Sequence, residues 1–277
     1  MLLEKKKGLK MNLILQIIVF LALGYLGIVG FMYWRQESFL FYPPVATHAD
    51  ELLNHVEEYS FTRDGVTLKG WLVNPLYARH KIIIYYGGNG EDVYLNVDEY
   101  DALQCATLFV AYRGYGPSEG APGEEDIFAD ALGIFDEMKA RYPSSEIFLM
   151  GRSLGSGVAC YVASNREVAG AILITPYDSL VAVAQSVYPW LPVGQLLRHH
   201  FESIRYVVEV RSPFLIFYGG QDNVVPPSRT ERLLEYIQSE KKIVYIERAD
   251  HGTIGMFPEY WPAIIEFLDN RTVEADG

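Results

Sequence analysis

The apolar residues of this chain fall into two regimes. Residues 13–34 form one block of 22 positions whose only strongly polar member is Gln16. At the rise of an α-helix such a block covers about 30 Å, the thickness of a bilayer's hydrocarbon core. After Arg35 the pattern changes to short runs separated by turn residues. Residues 57–62 and 66–73 alternate apolar with polar positions around Arg63-Asp64-Gly65, which predicts an antiparallel hairpin. Residues 81–86, 107–111, 147–150, 169–175, 214–218 and 242–246 are β-branched or aromatic runs, expected as buried strands. Helical patterns lie between most of them, at 124–142, 154–165 and 228–237, and residues 260–268 close the chain. A hairpin leading into alternating strands and helices predicts an α/β fold, a mostly parallel sheet with helices on both faces.

Charge gives the apolar block a direction. Lys5, Lys6, Lys7 and Lys10 precede it, while Arg35 and Glu37 follow it and nearly cancel. The lysine side is expected to stay in the cytoplasm, which puts the remainder in a periplasm, a lumen or the extracellular space. A cleavable signal peptide has a shorter apolar region that ends in small residues. This block ends in Tyr33 and Trp34, which suit the outer interface, so it is read as an uncleaved single-pass signal-anchor. The expected organisation is a basic segment at 1–12, the anchor at 13–34, a stem at 35–54 stiffened by Pro43-Pro44, and one catalytic-sized domain at 55–277. The formal charge is −12, but residues 1–35 hold five of the 23 basic and one of the 35 acidic residues, leaving −16 on the rest. So acidic a domain excludes nucleic acid as a partner. Two cysteines, Cys105 and Cys160, are too few for a disulfide framework; buried thiols are the default, and a single bridge stays open in an oxidising compartment.

Chemistry enters at residues 146–164, an apolar run, then Gly151-Arg152-Ser153-Leu154-Gly155, then a helical stretch without a turn signal. Strand, G-x-S-x-G, helix is the order that exposes a serine hydroxyl on a sharp bend, which makes Ser153 the candidate nucleophile. Gly116-Pro117-Ser118-Glu119-Gly120 fits the same pentapeptide, but the prolines and glycines around it forbid an immediate helix, so Ser118 is a turn residue. A serine needs a base and a group to orient that base. His251 follows the late strand at 242–246, and Asp222 follows the strand at 214–218, both where strands of a parallel sheet open into a crevice. Asp178, after the strand at 169–175, is the alternative acid. The developing oxyanion needs donors, expected from the N–H of Leu154 and from the glycine-rich loop 87–92, where Asn89 N–H is the choice. No G-K-[ST] follows that loop, which argues against nucleotide binding.

With these residues in place the chain resembles the alpha/beta-hydrolase superfamily, and within it the small membrane-anchored alpha/beta-hydrolase-domain serine hydrolases. The likeness rests on the amino-terminal block, the F-L-F-Y-P-P stem at 39–44, Gly88-Asn89-Gly90, Tyr112-Arg113-Gly114-Tyr115-Gly116, the Ser153 pentapeptide, Asp222 and His251. It implies hydrolase activity with a Ser-Asp-His triad and no cofactor. One departure is that Gly87 stands where the family usually has His before Gly-Asn. Residues 176–213 are too long for a turn and are expected to form a small helical cap. The expected function is a membrane-anchored serine hydrolase of carboxylic esters or thioesters, lipid-derived ones included. A peptidase or amidase with the same triad and a non-catalytic binding protein on this fold are the alternatives; oligomeric state is left open.

Overall fold

The computed structural model describes residues 2–45 and 55–270, with side chains from residue 13 onward. The chain begins with α1 (Leu2–Leu40), in which Leu13–Leu40 is long and apolar enough to cross a membrane, with a mean hydropathy of 2.4. Its most apolar 18-residue window is not buried in the protein, unlike the core helix of a soluble domain. The helix continues six residues past Trp34, so the first part of the expected stem is helical. A continuous ladder tolerates Arg35, Gln36, Glu37 and Ser38 because these are compatible with helix, and the first breaker is Pro43. The rest of that stem, residues 46–54, lies outside the described residues, as do the side chains of the basic segment 1–12 and the end of the domain at 271–277.

The domain follows as β1 (Val56–Arg63), β2 (Val66–Val73), β3 (Lys81–Tyr86), β4 (Ala106–Val110), α2 (Glu124–Arg141), β5 (Glu146–Arg152), α3 (Leu154–Asn165) and β6 (Gly170–Ile174). Three short helices come next, α4 (Leu180–Val187), α5 (Val193–Leu196) and α6 (Ser203–Tyr206), then β7 (Phe214–Gly219), α7 (Pro227–Leu234), β8 (Lys241–Ile246) and α8 (Tyr260–Asp269). The sheet has eight strands in the order β1-β2-β4-β3-β5-β6-β7-β8. β1 and β2 form the expected hairpin, closed by Asp64 and Gly65, whose φ of 52° and 78° is the left-handed pair a two-residue turn of matching twist requires. β2 meets β4 antiparallel, and all later pairs are parallel.

Consecutive side chains of a strand point to opposite faces, and in the fully buried β3 both faces are covered. Tyr85 packs against Tyr100 and Phe109, while the hydroxyl of its neighbour Tyr86 reaches Ala131 O on α2. On the Tyr85 side α8 closes the layer, with Phe267 on Phe148 and Tyr260 on Phe217. The hairpin is fastened to the body by charge. Asp130, on α2 and buried, accepts from Arg63 Nε at 2.7 Å and from Arg113 Nε and Nη2 at 2.7 Å each. Residues 176–213, between β6 and β7, hold α4 to α6 in place of a turn.

Candidate active site

The loops at the carboxyl ends of β3, β4, β5, β7 and β8 converge on one point. At the end of β5, Ser153 takes φ 49° and ψ −116°, a conformation that a residue with a Cβ keeps only when its surroundings enforce it. Its N–H donates to Ile174 O at 2.9 Å, and α3 starts at the next residue. The flanking glycines are steric necessities. A Cβ on Gly151 would lie 2.3 Å from Gly155 O, and one on Gly155 would lie 2.0 Å from Tyr86 O.

The three distant side chains meet. His251 Nε2 is 3.0 Å from Ser153 Oγ, and His251 Nδ1 is 2.7 Å from Asp222 Oδ2. Asp222 is buried, and its other oxygen, Oδ1, accepts the N–H groups of Val224 at 2.9 Å and Val225 at 2.8 Å. With the carboxylate so fixed, Nδ1 donates to Asp222 and Nε2 presents its lone pair to the hydroxyl. The alternatives fall elsewhere. The alternative acid, Asp178, accepts from Ser179 N–H at 2.8 Å and faces Arg229 at 3.2 Å, while Asp250, beside His251 in the chain, folds onto the N–H groups of Gly252 and Thr253 within its own turn. Ser118 is buried between Lys69 N–H and Ala111 O, a structural pin between β2 and the end of β4.

Leu154 opens α3, and the first N–H groups of a helix have no acceptor within it. The loop after β3 passes over the serine, since a Cβ on Gly88 would lie 3.7 Å from Ser153 Cβ. Gly88 N–H donates to the Glu91 carboxylate, away from the serine, and Asn89 N–H is the next donor along that loop. The Asn89 side chain does not point to the nucleophile. Its Oδ1 accepts from Tyr115 Oη at 2.8 Å and from Tyr42 N–H at 3.1 Å, and its Nδ2 donates to Leu40 O.

Several supports were not assigned from sequence. Tyr112 Oη donates to Gly87 O at 2.9 Å, so Tyr112, Arg113 and Tyr115 hold respectively the Gly87 carbonyl, Asp130 and the Asn89 amide. The Y-R-G-Y-G string was visible, but a string does not disclose what its hydroxyls reach. Glu91 carried no signal at all; it also accepts from Tyr85 Oη at 2.8 Å and from Asn96 Nδ2. Gly87 has a local reason, because a Cβ there would meet Val93 Cγ1 at 2.6 Å. Arg152 Nη2 donates to His251 O at 3.3 Å and lines a polar cavity of 230 Å³ with Asn96, Glu99 and Gly252. Cys105 and Cys160 are buried free thiols, and burial pushes the Cys105 thiol up to about 11. Among the described residues no group of His, Cys, Asp or Glu is arranged to hold a metal ion.

Comparison with known proteins agrees with this geometry at the level of fold. The profile of the family described as serine aminopeptidase, S33, matches residues 97–206. An uncharacterized protein of Mycobacterium tuberculosis is 30% identical over 247 residues, covering 86% of this chain and 88% of its own. An uncharacterized membrane protein of Saccharomyces cerevisiae is 29% identical over 218 residues, 75% of this chain and 77% of its own. Among solved structures, the Pyrococcus furiosus esterase Pf2001 superposes with a TM-score of 0.67 at 21% identity, over 84% of this chain and 98% of that one. An alpha-beta serine hydrolase homologue from Coxiella burnetii gives 0.58 at 20% identity, over 79% and 100%.

Proposed function

The chain belongs to the alpha/beta-hydrolase superfamily, and from that premise we propose that it is a membrane-anchored serine hydrolase that cleaves carboxylic esters or thioesters. The observation that carries this reading is the unbroken path from Ser153 Oγ through the His251 ring to a buried, doubly bonded Asp222. In the reaction His251 Nε2 takes the hydroxyl proton as Ser153 Oγ adds to the substrate carbonyl, and Asp222 holds the ring and steadies the imidazolium. The N–H groups of Leu154 and Asn89 receive the oxyanion. Collapse of the tetrahedral intermediate breaks the bond to the alkoxide or thiolate, which leaves with the proton from Nε2. Water, deprotonated by the same nitrogen, then adds to the acyl-enzyme and frees the acid and Ser153.

The apolar Leu13–Leu40 segment supports a membrane anchor, and the four lysines before it support a cytoplasmic amino terminus with the domain on the opposite side. An enzyme held there meets lipid-derived esters at high local concentration, which favours them as substrates. The test is labelling with a fluorophosphonate probe. The wild-type protein is expected to react and Ser153→Ala not to, with hydrolysis of simple esters falling on the order of 10⁶-fold; equal labelling of both rejects the proposal. The name of the matching family makes an aminopeptidase the second reading. A paired ester and anilide of the same acyl group separates the two, the ester reading requiring the ester to turn over and the anilide to lag.

A further inference from the structure

The cap leans on the anchor helix far below the helix end. Tyr25, Met32, Gln36 and Leu40 recur at helical spacing on the side of α1 that faces it. Tyr25 Oη donates to Trp190 O at 3.1 Å, with the two rings edge to face at 6.4 Å. Gln36 is buried, donating to Leu196 O at 3.3 Å and accepting from Arg198 N–H at 2.8 Å. Between them an apolar groove of 100 Å³ is lined by Met32, Leu40, Tyr188 and Leu191 among others.

The charges provide a ruler. Arg35 and Glu37 are the first charged residues after the apolar block, and Arg198 sits beside them, 3.5 Å from Glu37 and over the Tyr33 ring at 4.6 Å. Tyr25 lies ten residues earlier, about 15 Å down the helix axis, or half the thickness of a bilayer's hydrocarbon core. Whatever touches Tyr25 is therefore at acyl-chain depth when the charges are at headgroup level. The cap is built for that depth. Residues 180–197 contain no Asp, Glu, Lys or Arg in a chain that is 21% charged. Residues 186–190 are exposed on the protein, Val187 at 54% and Trp190 at 51%. Polar side chains nearby are bonded to carbonyls of the cap itself, Gln185 Nε2 to those of Tyr188 and Leu191 and Ser186 Oγ to Ala182 O. Water would satisfy such groups without help, whereas hydrocarbon would not.

We propose that the tip of the cap, residues 186–190, is seated among phospholipid acyl chains of the leaflet on the catalytic-domain side, a second membrane contact beside the helix. This rests on the anchor reading above. Because Cys105 and Cys160 are buried, one introduced cysteine can carry an environment-sensitive fluorophore in the full-length protein reconstituted into phosphatidylcholine vesicles. Val187→Cys reports the cap, Leu23→Cys the helix, and Ile265→Cys on α8 the aqueous side; Trp190→Cys repeats the cap measurement if the first variant folds poorly. Lipids bearing a nitroxide at mid-chain are expected to quench the probes at 187 and 23 more than lipids with the nitroxide on the headgroup, with no loss at 265. Mid-chain quenching at 23 with only aqueous iodide quenching at 187 overturns the seated cap and leaves the anchor standing. Absence of quenching at both 23 and 187 overturns both.

Discussion

At the scale of single residues, the choice between two acids is a direct test of the site. Asp222 and Asp178 are both buried and both follow strands of the parallel sheet, but only Asp222 touches His251. Asp222→Asn preserves shape while supplying a donor where His251 Nδ1–H needs an acceptor, and is expected to lower kcat on the order of 10⁴-fold. Asp178→Asn, whose carboxylate serves Ser179 and Arg229, is expected to leave ester turnover within a few-fold of wild type when both are measured on one substrate. Asp222 was legible in the sequence because its strand, its G-G-Q-D-N turn and its place between Ser153 and His251 in chain order all agreed. Glu91 was not, because a glutamate after a glycine loop looks solvated, and only the folded chain shows its carboxylate occupied by Gly88, Asn96 and Tyr85. Glu91→Ala releases the Gly88 N–H and is expected to reduce kcat about 10- to 100-fold with a smaller change in KM, since the loop then adopts the oxyanion geometry only part of the time. Steady-state kinetics on a short-chain ester decides this.

At the scale of elements, the bend between β5 and α3 is a packing problem solved by absence of side chains. Gly155→Ala places a methyl on α3 against Tyr86 O at the end of β3, and neither the buried first turn of the helix nor the fully buried strand can move far. A loss of about 1–3 kcal/mol is expected in chemical unfolding, with activity falling further because Ser153 shifts with the bend. Strand and helix order was legible because most breaks held a glycine or proline and charged or polar residues marked the others, at 166–167 and 238–241. What was not legible was where elements stop. α1 runs through polar residues to Leu40 because nothing before Pro43 obstructs it, and the Y-R-G-Y-G segment is a brace whose three contacts belong to residues remote in sequence. Hydropathy reports which face is buried and is silent about which hydroxyl finds which carbonyl.

At the scale of the whole molecule, one buried carboxylate joins the amino-terminal hairpin to the body. Asp130 raises the pKa of both Arg63 and Arg113 chiefly through its hydrogen bonds to them, which keeps the two guanidinium groups charged and paired. Without it both arginines keep the exposed Asp126 as a partner, so Asp130→Ala is expected to cost about 3 kcal/mol in equilibrium unfolding, the low end for breaking a buried pair. The thiols report the same integrity. Alkylation near neutral pH lies well below the raised Cys105 value, and Cys160 is raised further by burial, so neither is expected to react until the domain unfolds. The unbroken apolar block made the long amino-terminal helix legible; the docking of cap on helix was not, because it depends on which faces meet.

The clasp around Asn89 ties the loop over Ser153 to residues that look like mere tether. Leu40 and Tyr42 hold that side chain through their backbone atoms, so a cut between the helix and the hairpin that let the first segment depart would remove both contacts. It would leave the Asn89 side chain with Tyr115 alone of its three partners, so the loop over Ser153 depends on a segment that lies outside the sheet.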